Sequence, residues 1–297
     1  MRAHAKQAPV QGVISLISAT FLYTWVGVLA RVVGDTIPVF YQSALRDFFS
    51  SLVLLVPLIF FKKWRSIQKK DLGWIIFRSV TGIFGFALYY IAINNIPMGT
   101  TYFLSYAGML FGSFLFGKFL FGERLSMIKS MSLLLAFLGL MLIYSVSFQN
   151  GSAFFAFLSL IAGCFTSVWN MFAKKISSSY SALQLNYLDM VVTAVTGIFI
   201  SALIHERWIE PSFSQSWLAL AGMGSIFIIT GQLIIYGFRH LEAQVGSIVM
   251  LMEIVFGLFL GFMLYDEVLS VTSLIGGALI IVAVVLPEFN YKKATRR

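Results

Sequence analysis

"FLFGERLS" at residues 119–126 and "MLYDEVLS" at residues 263–270 are near-copies of each other. Each closes an apolar run, sets a glutamate (Glu123, Glu267) two residues ahead of Leu-Ser, and opens another apolar run. The two glutamates stand 144 residues apart in a chain of 297, which is close to half its length. Other pairs keep similar spacing. Trp25 and Trp169 are again 144 apart, and "YQSALRDFF" (41–49) is matched by "ALQLNYLDM" (182–190), setting Asp47 against Asp189. The chain therefore reads as two copies of one unit, 1–148 and 149–297.

Composition says which solvent the unit is built for. Apolar residues make up 59% and charged residues 11% of the chain. Ordinary soluble domains carry roughly 25% charge, because a water-facing surface needs it. A bilayer-spanning helix needs about 20 mostly apolar residues. Ten such runs are present, near 10–30, 39–61, 72–93, 99–120, 128–148, 152–173, 182–204, 216–237, 244–264 and 271–288. The connections are short, except for "HERWIEPSFSQS" at 205–216. The fold class is therefore all-α integral membrane, with ten transmembrane helices. The basic start "MRAHAKQAPV" leads into the first run without a small-residue cleavage site, and reads as the flank of an uncleaved span.

The net charge of +9 invites a nucleic-acid reading, but the distribution of Lys and Arg argues against it. With the N-terminus in the cytoplasm, 17 of the 21 basic residues fall in cytoplasmic segments and two, Arg31 and Arg207, outside. That asymmetry is the signature of membrane topology. It predicts ten spans with both termini cytoplasmic, and no nucleic acid as partner. Five spans per copy is an odd number, so the second copy enters the membrane upside down. The turns agree: "GERLS" has basic neighbours and "DEVLS" has none. Inverted repeats are typical of carriers whose substrate site lies near the midplane, between the halves.

The ordered set of features resembles the drug/metabolite transporter superfamily, in its EamA-like branch. "ALYYIAINNIPMGTTYFLSY" (87–106) is similar to the family's hairpin between spans 3 and 4. "LMEIVFGLFLGFMLYDE" (251–267) is similar to its span 9, with Ile254 where the family commonly has proline after the glutamate, and Leu110 at the matching place in span 4. Both helices are accordingly expected to run unbroken. The resemblance implies a ten-helix carrier of small metabolites in a bacterial inner membrane, working without ATP.

Charges inside the spans are costly, about 2.5–3.5 kcal/mol each at the bilayer centre on insertion scales, and tend to face a pathway or the bundle interior. There are five: Arg46, Asp47, Arg78, Asp189 and Glu253. By depth, Arg46 and Asp47 lie toward the outer face, and Arg78, Asp189 and Glu253 toward the inner. One of the two inner carboxylates is expected to neutralise Arg78, leaving the other for substrate or a proton. The competing reading is a permanent ion network that only ties helices together. Glu253 is the leading candidate. It shares a helical face with Gly246, Met250, Gly257 and Gly261, a small-residue face unlike a lipid-facing stripe. The GxxxG pairs Gly257/Gly261 and Gly108/Gly112 predict close helix packing, with spans 4 and 9 approaching each other.

Tyr89, Tyr90, Tyr102, Tyr106, Trp25, Trp169, Asn170, Gln232 and Tyr236 are candidates to line a cavity. Aromatic walls attract cations and planar groups; the alternative for each is the interfacial belt that Trp and Tyr commonly form. Glu123 and Glu267 are expected to fold over the backbone N–H groups of the helix that follows each, capped by Ser126 and Ser270, and so to staple turns.

No metal or cofactor site is legible. Histidines stand apart at 4, 205 and 240, Cys164 is the single cysteine, and neither a phosphate loop nor a dinucleotide fingerprint is present. "NGS" at 150–152 reads as a turn rather than a glycosylation site. An enzyme is not expected. The expected function is secondary transport of amino acid- or amine-like metabolites by alternating access, with protons as a possible coupling ion, lipids as neighbours, and a monomer or homodimer as the assembly. The alternatives are a lipid or lipid-linked flippase, or a structural membrane subunit.

Overall fold

The computed structural model describes residues 2–144, 153–177 and 179–294, with side-chain surroundings from residue 9 to 287, Asp35 apart. Every regular element among them is helical. In order they are α1 (Arg2–Val33), a 3-10 turn (Gly34–Thr36), α2 (Val39–Phe60), α3 (Lys69–Ile93), α4 (Met98–Phe121), α5 (Met127–Ile143), α6 (Ala153–Ile176), α7 (Ala182–Leu203), α8 (Gln215–His240), α9 (Ala243–Met250), α10 (Met252–Tyr265) and α11 (Val271–Ala294). Taken as one segment, α9–α10 joins seven other helices that are long and apolar enough to cross a membrane, and two shorter apolar stretches, Met127–Ile143 and Val271–Pro287, bring the number to ten. The expected boundary at 148/149 and the "NGS" turn lie outside the described residues.

The opening echo is two copies of one helix ending. Gly122 sits at φ 65° and Asp266 at φ 51°, both left-handed, at the C-terminal ends of α4 and α10. In each case the next residue's N–H returns to a carbonyl six residues back: Glu123 to Gly117 at 3.1 Å and Glu267 to Gly261 at 3.3 Å. This closure satisfies the carbonyls that a helix end leaves open. Ser126 and Ser270 then cap the helices that follow, accepting from the Lys129 N–H at 3.3 Å and the Ser273 N–H at 3.0 Å.

Packing follows the repeat. Five helices run from α1 to α5, and their counterparts are α6, α7, α8, α9–α10 and α11. The pairs α1–α8 and α6–α3 are equivalent, α2 packs on its own counterpart α7, and α5 on α11. Large apolar side chains cover the outside, Phe60 at 77% and Phe119 at 72% exposed. Such a surface is tolerable in lipid and not in water. Inside, Leu16, Leu110, Leu140, Ile234, Phe238, Ile248 and Ile280 meet around α9, all eight residues of which are buried.

Two expectations need correction. The ninth span is not continuous: it breaks at Leu251, where N–H groups turn to three-residue spacing (Leu251 to Ile248, 3.1 Å; Ile254 to Leu251, 3.0 Å). No proline is needed, because Leu251 sits at φ −66° and ψ −13°, a right-handed conformation open to any residue. Gly108 and Gly112 pack closely as expected, with α6 as the neighbour: a Cβ at Gly108 would overlap the Leu160 carbonyl and one at Gly163 the Ser105 carbonyl. Spans 4 and 9 also meet, where Gln244 Nε2 donates to the Phe114 carbonyl at 3.4 Å. Gly257 packs on nothing closer than Thr24 at 3.9 Å, and Gly261 makes room for the carboxylate of Glu267.

Candidate functional site

Between the halves lies a cavity of about 490 Å³, within the size range of small-molecule sites. It is walled by α1, α2, α3, α4, α6, α7, α8 and the α9–α10 break. Arg46, Asp47, Tyr102, Tyr106, Trp169, Asn170, Asp189 and Glu253 all line it.

Two arginine–carboxylate pairs reach this space. Arg46 donates from Nε to Asp47 Oδ1 at 2.8 Å and from Nη2 to Ser43 at 3.2 Å, with its guanidinium 3.9 Å from the Phe227 ring centre. Arg78 stands behind the wall, its Nη1 2.8 Å from Asp189 Oδ1. The same carboxylate accepts from Ser79 Oγ at 2.7 Å and from Trp169 Nε1 at 2.9 Å. Asp189 is thus saturated with donors, as a buried charge requires.

Glu253 is placed differently. Its carboxylate has no hydrogen bond or ion pair among the described residues, while its backbone carbonyl accepts from Thr24 Oγ1 at 3.4 Å. The break at Leu251 puts it in the first turn of α10. Tyr23, Tyr89, Tyr106 and Tyr144 lie within electrostatic reach of it. Tyr102 stacks between Tyr106 (6.4 Å, 16°) and Tyr144 (5.6 Å, 13°), and Tyr89 leans on it at 5.9 Å. A lone carboxylate among tyrosine rings is an environment for a cation: the rings supply quadrupole attraction and the carboxylate supplies charge. The Asn170 Oδ1 atom, buried at the same wall, also has no partner among the described residues.

Four expected site residues lie elsewhere. Tyr90 packs edge-on against Phe40, 5.6 Å away, behind the lining. Tyr236 donates to Gln11 at 3.0 Å and lies against the His240 ring at a 39° tilt, at the basic face. Trp25 is half-buried off the cavity, and the Gln232 amide nitrogen is buried without a partner among the described residues. Tyr23, Ser43, Asn186 and Phe227 line the cavity without having been foreseen. Ser43 and Asn186 stand one helical turn before Arg46 and Asp189, a spacing that marks a shared face. Phe227 lies in an apolar run and carries no such signal.

The glutamates of the opening echo also depart from expectation. Glu123 does not cap α5. Its carboxylate accepts from Lys174 Nζ at 2.7 Å, from the Ala243 N–H at 2.7 Å and from the Gln244 N–H at 3.2 Å, so it caps α9 in the other half of the molecule. Glu267 does not cap α11. It pairs with Arg31 at 2.9 Å, both side chains about half exposed. The physical reason is reach: the left-handed residue before each glutamate folds it back over its own helix, away from the helix that follows.

A bundle of ten apolar helices around a largely apolar, aromatic-lined cavity that holds a few charged side chains, between two repeats, defines a multi-pass membrane transporter. The EamA-like transporter family model matches residues 10–145 and again 153–287, and the chain belongs to that family. It is similar to the pseudopaline exporter CntI of Pseudomonas aeruginosa (22% identity over 92% of this chain and 94% of that one). It is also similar to the uncharacterized transporter YoaV of Bacillus subtilis (24%, 96% and 99%) and to an S-adenosylmethionine uptake transporter of Rickettsia felis (21%, 91% and 90%). A solved crystal structure superposes with a TM-score of 0.81 at 18% identity, covering 95% of this chain and 98% of that one, a likeness of fold.

Proposed function

We propose that this chain is a secondary carrier of small amine-bearing metabolites, zwitterionic or cationic, working by alternating access in a bacterial cytoplasmic membrane with both termini inside. The observation that carries the reading is the Glu253 carboxylate, which faces an aromatic cavity without a cation of its own. A substrate ammonium group or a proton would neutralise it in turn, which couples substrate exchange to proton movement. Arg46, on the same cavity, suits the carboxylate of a zwitterion. The relatives named as an exporter and as an uptake transporter support a carrier, whose direction follows its gradients. The test is uptake and counterflow of radiolabelled amino acids and amines in proteoliposomes, with and without a pH gradient. Saturable counterflow is expected for at least one amine-bearing compound; its absence across the panel would overturn the proposal.

A second reading has one observation in its favour. A crevice of about 470 Å³ opens between α2 and α8, lined by Phe49, Val53, Phe213 and Trp217, and Arg46 lines it as well as the central cavity. A lateral way in is what movement of a lipid-linked substrate demands. Headgroup-labelled lipid that changes leaflet only in the presence of the protein would favour it over the first.

A further inference from the structure

The two halves differ most where Glu123 and Glu267 stand. With the 144-residue offset, Glu123 corresponds to Glu267, Gly117 to Gly261, Lys175 to Arg31, and the start of α9 at Ala243 to the start of α4 beside Met98. The parts are similar at both faces, although the cation that holds Glu123 is Lys174, one residue before the counterpart of Arg31. Each glutamate folds over its glycine: a Cβ at Gly117 would lie 3.0 Å from Glu123 Oε2, and one at Gly261 would overlap Glu267 Oε2. Each has a cation from the first helix of one repeat, Lys174 on α6 and Arg31 on α1.

Their states are opposite. At the basic face Glu123 is 5% exposed and grips the N-terminus of α9. At the other face Glu267 is 49% exposed and held by Arg31. Helix packing also differs between the halves: α4 lies in backbone contact with α6 at Gly108 and Gly163, positions that the offset sets against Met252 and Ala19. The α2–α7 pair is tied at both faces, by Glu206 on the N–H groups of Phe40 and Tyr41 and by Gln184 on the backbone of Arg65. That pair is scaffold; the α4 and α9–α10 ends are what differ.

We infer that Glu123 and Glu267 are the paired gate residues of the carrier, each clamping the start of the opposite repeat's fourth span in one of two states. In the state described here the Glu123 clamp is shut and the Glu267 clamp is open. In the alternate state Glu267 moves with Arg31 onto the N-terminus of α4, and Glu123 and Lys174 become exposed at the basic face. The clamp suits reversible use. A carboxylate on backbone N–H groups is favoured by charge and by the helix dipole, yet water replaces those bonds when it opens. This inference rests on alternating access as proposed above.

The test uses spin-label pairs on the full chain in nanodiscs, in a Cys164→Ala background. Leu125 with Ser179 reports the basic face and Met98 with Val268 the other, all four being exposed. Glu123→Gln is expected to lengthen the first distance and shorten the second in part of the population. Glu267→Gln is expected to shift populations the other way, and the double substitution to return them toward the parent. Arg31→Gln, at a 55% exposed site, is expected to act like Glu267→Gln, because Arg31 moves with that glutamate. Shifts of the same sign in both single variants, or none, would overturn the gate assignment. The readout needs no substrate, so its failure is distinct from failure of counterflow, which bears on the carrier reading alone.

Discussion

The Arg78 guanidinium meets the Asp189 carboxylate at 2.8 Å, with the two side chains 3% and 7% exposed. Pairing at this depth does not by itself stabilise a fold, because both charges lose their water; removing one partner is what costs, about 3–5 kcal/mol, by leaving the other buried and alone. Asp189→Asn is therefore expected to lower thermal stability strongly in detergent, and Arg78→Met with Asp189→Leu to recover much of the loss. Equal melting temperatures for Asp189→Asn and the parent would refute the account.

Glu253 makes the opposite case. Glu253→Gln breaks no ion pair, so stability is expected to stay within about 1 kcal/mol of the parent. A charge-assisted contact with substrate is worth about 1.5–3 kcal/mol, or roughly 10- to 100-fold in apparent affinity. Transport of an amine-bearing substrate should fall by that factor, and the response to a pH gradient should vanish while residual counterflow persists. The charged groups around the same cavity are Arg46, Asp47 and Asp189, with Arg78 behind. Asp47→Asn serves as the control that should keep the pH response.

Two GxxxG pairs that look alike are expected to behave differently. Gly108→Ala forces α4 away from the Leu160 carbonyl, an overpacking that costs on the order of 1–3 kcal/mol. Gly257→Ala meets only Thr24 at 3.9 Å and should leave stability unchanged or raise it slightly. Melting curves of the two variants side by side decide the point.

The long loop before α8 returns to cap α2. Glu206 accepts from the Phe40 N–H at 3.1 Å and the Tyr41 N–H at 2.8 Å, and Tyr41 stacks on Trp208 at 5.8 Å while donating to the Ile209 carbonyl. Glu206→Ala removes a carboxylate from a helix start, a change worth about 0.5–2 kcal/mol. Faster amide exchange at Phe40 and Tyr41, with no change at the α7 start, is the expected reading.

Much of this molecule was legible in its residues. Composition set the solvent, run length set the number of spans, and the echo of residues 119–126 in 263–270 located the repeat. These are local or additive properties: hydropathy sums along a chain, and a left-handed helix ending needs only the residues that form it. The five intramembrane charges were visible for the same reason, since lipid makes each of them costly wherever it sits. Partner choice was not legible. That Asp189 takes Arg78 and leaves Glu253 alone depends on the neighbouring donors Ser79 and Trp169, brought together by helix rotation that no run length encodes. Trp25, 144 residues before Trp169, lies off the cavity, because the offset sets Leu45 and not a carboxylate opposite Asp189. Only the tertiary structure could show Glu123 buried on α9 and Glu267 exposed beside Arg31. One repeated sequence writes both ends alike, and packing between the halves decides which glutamate is buried.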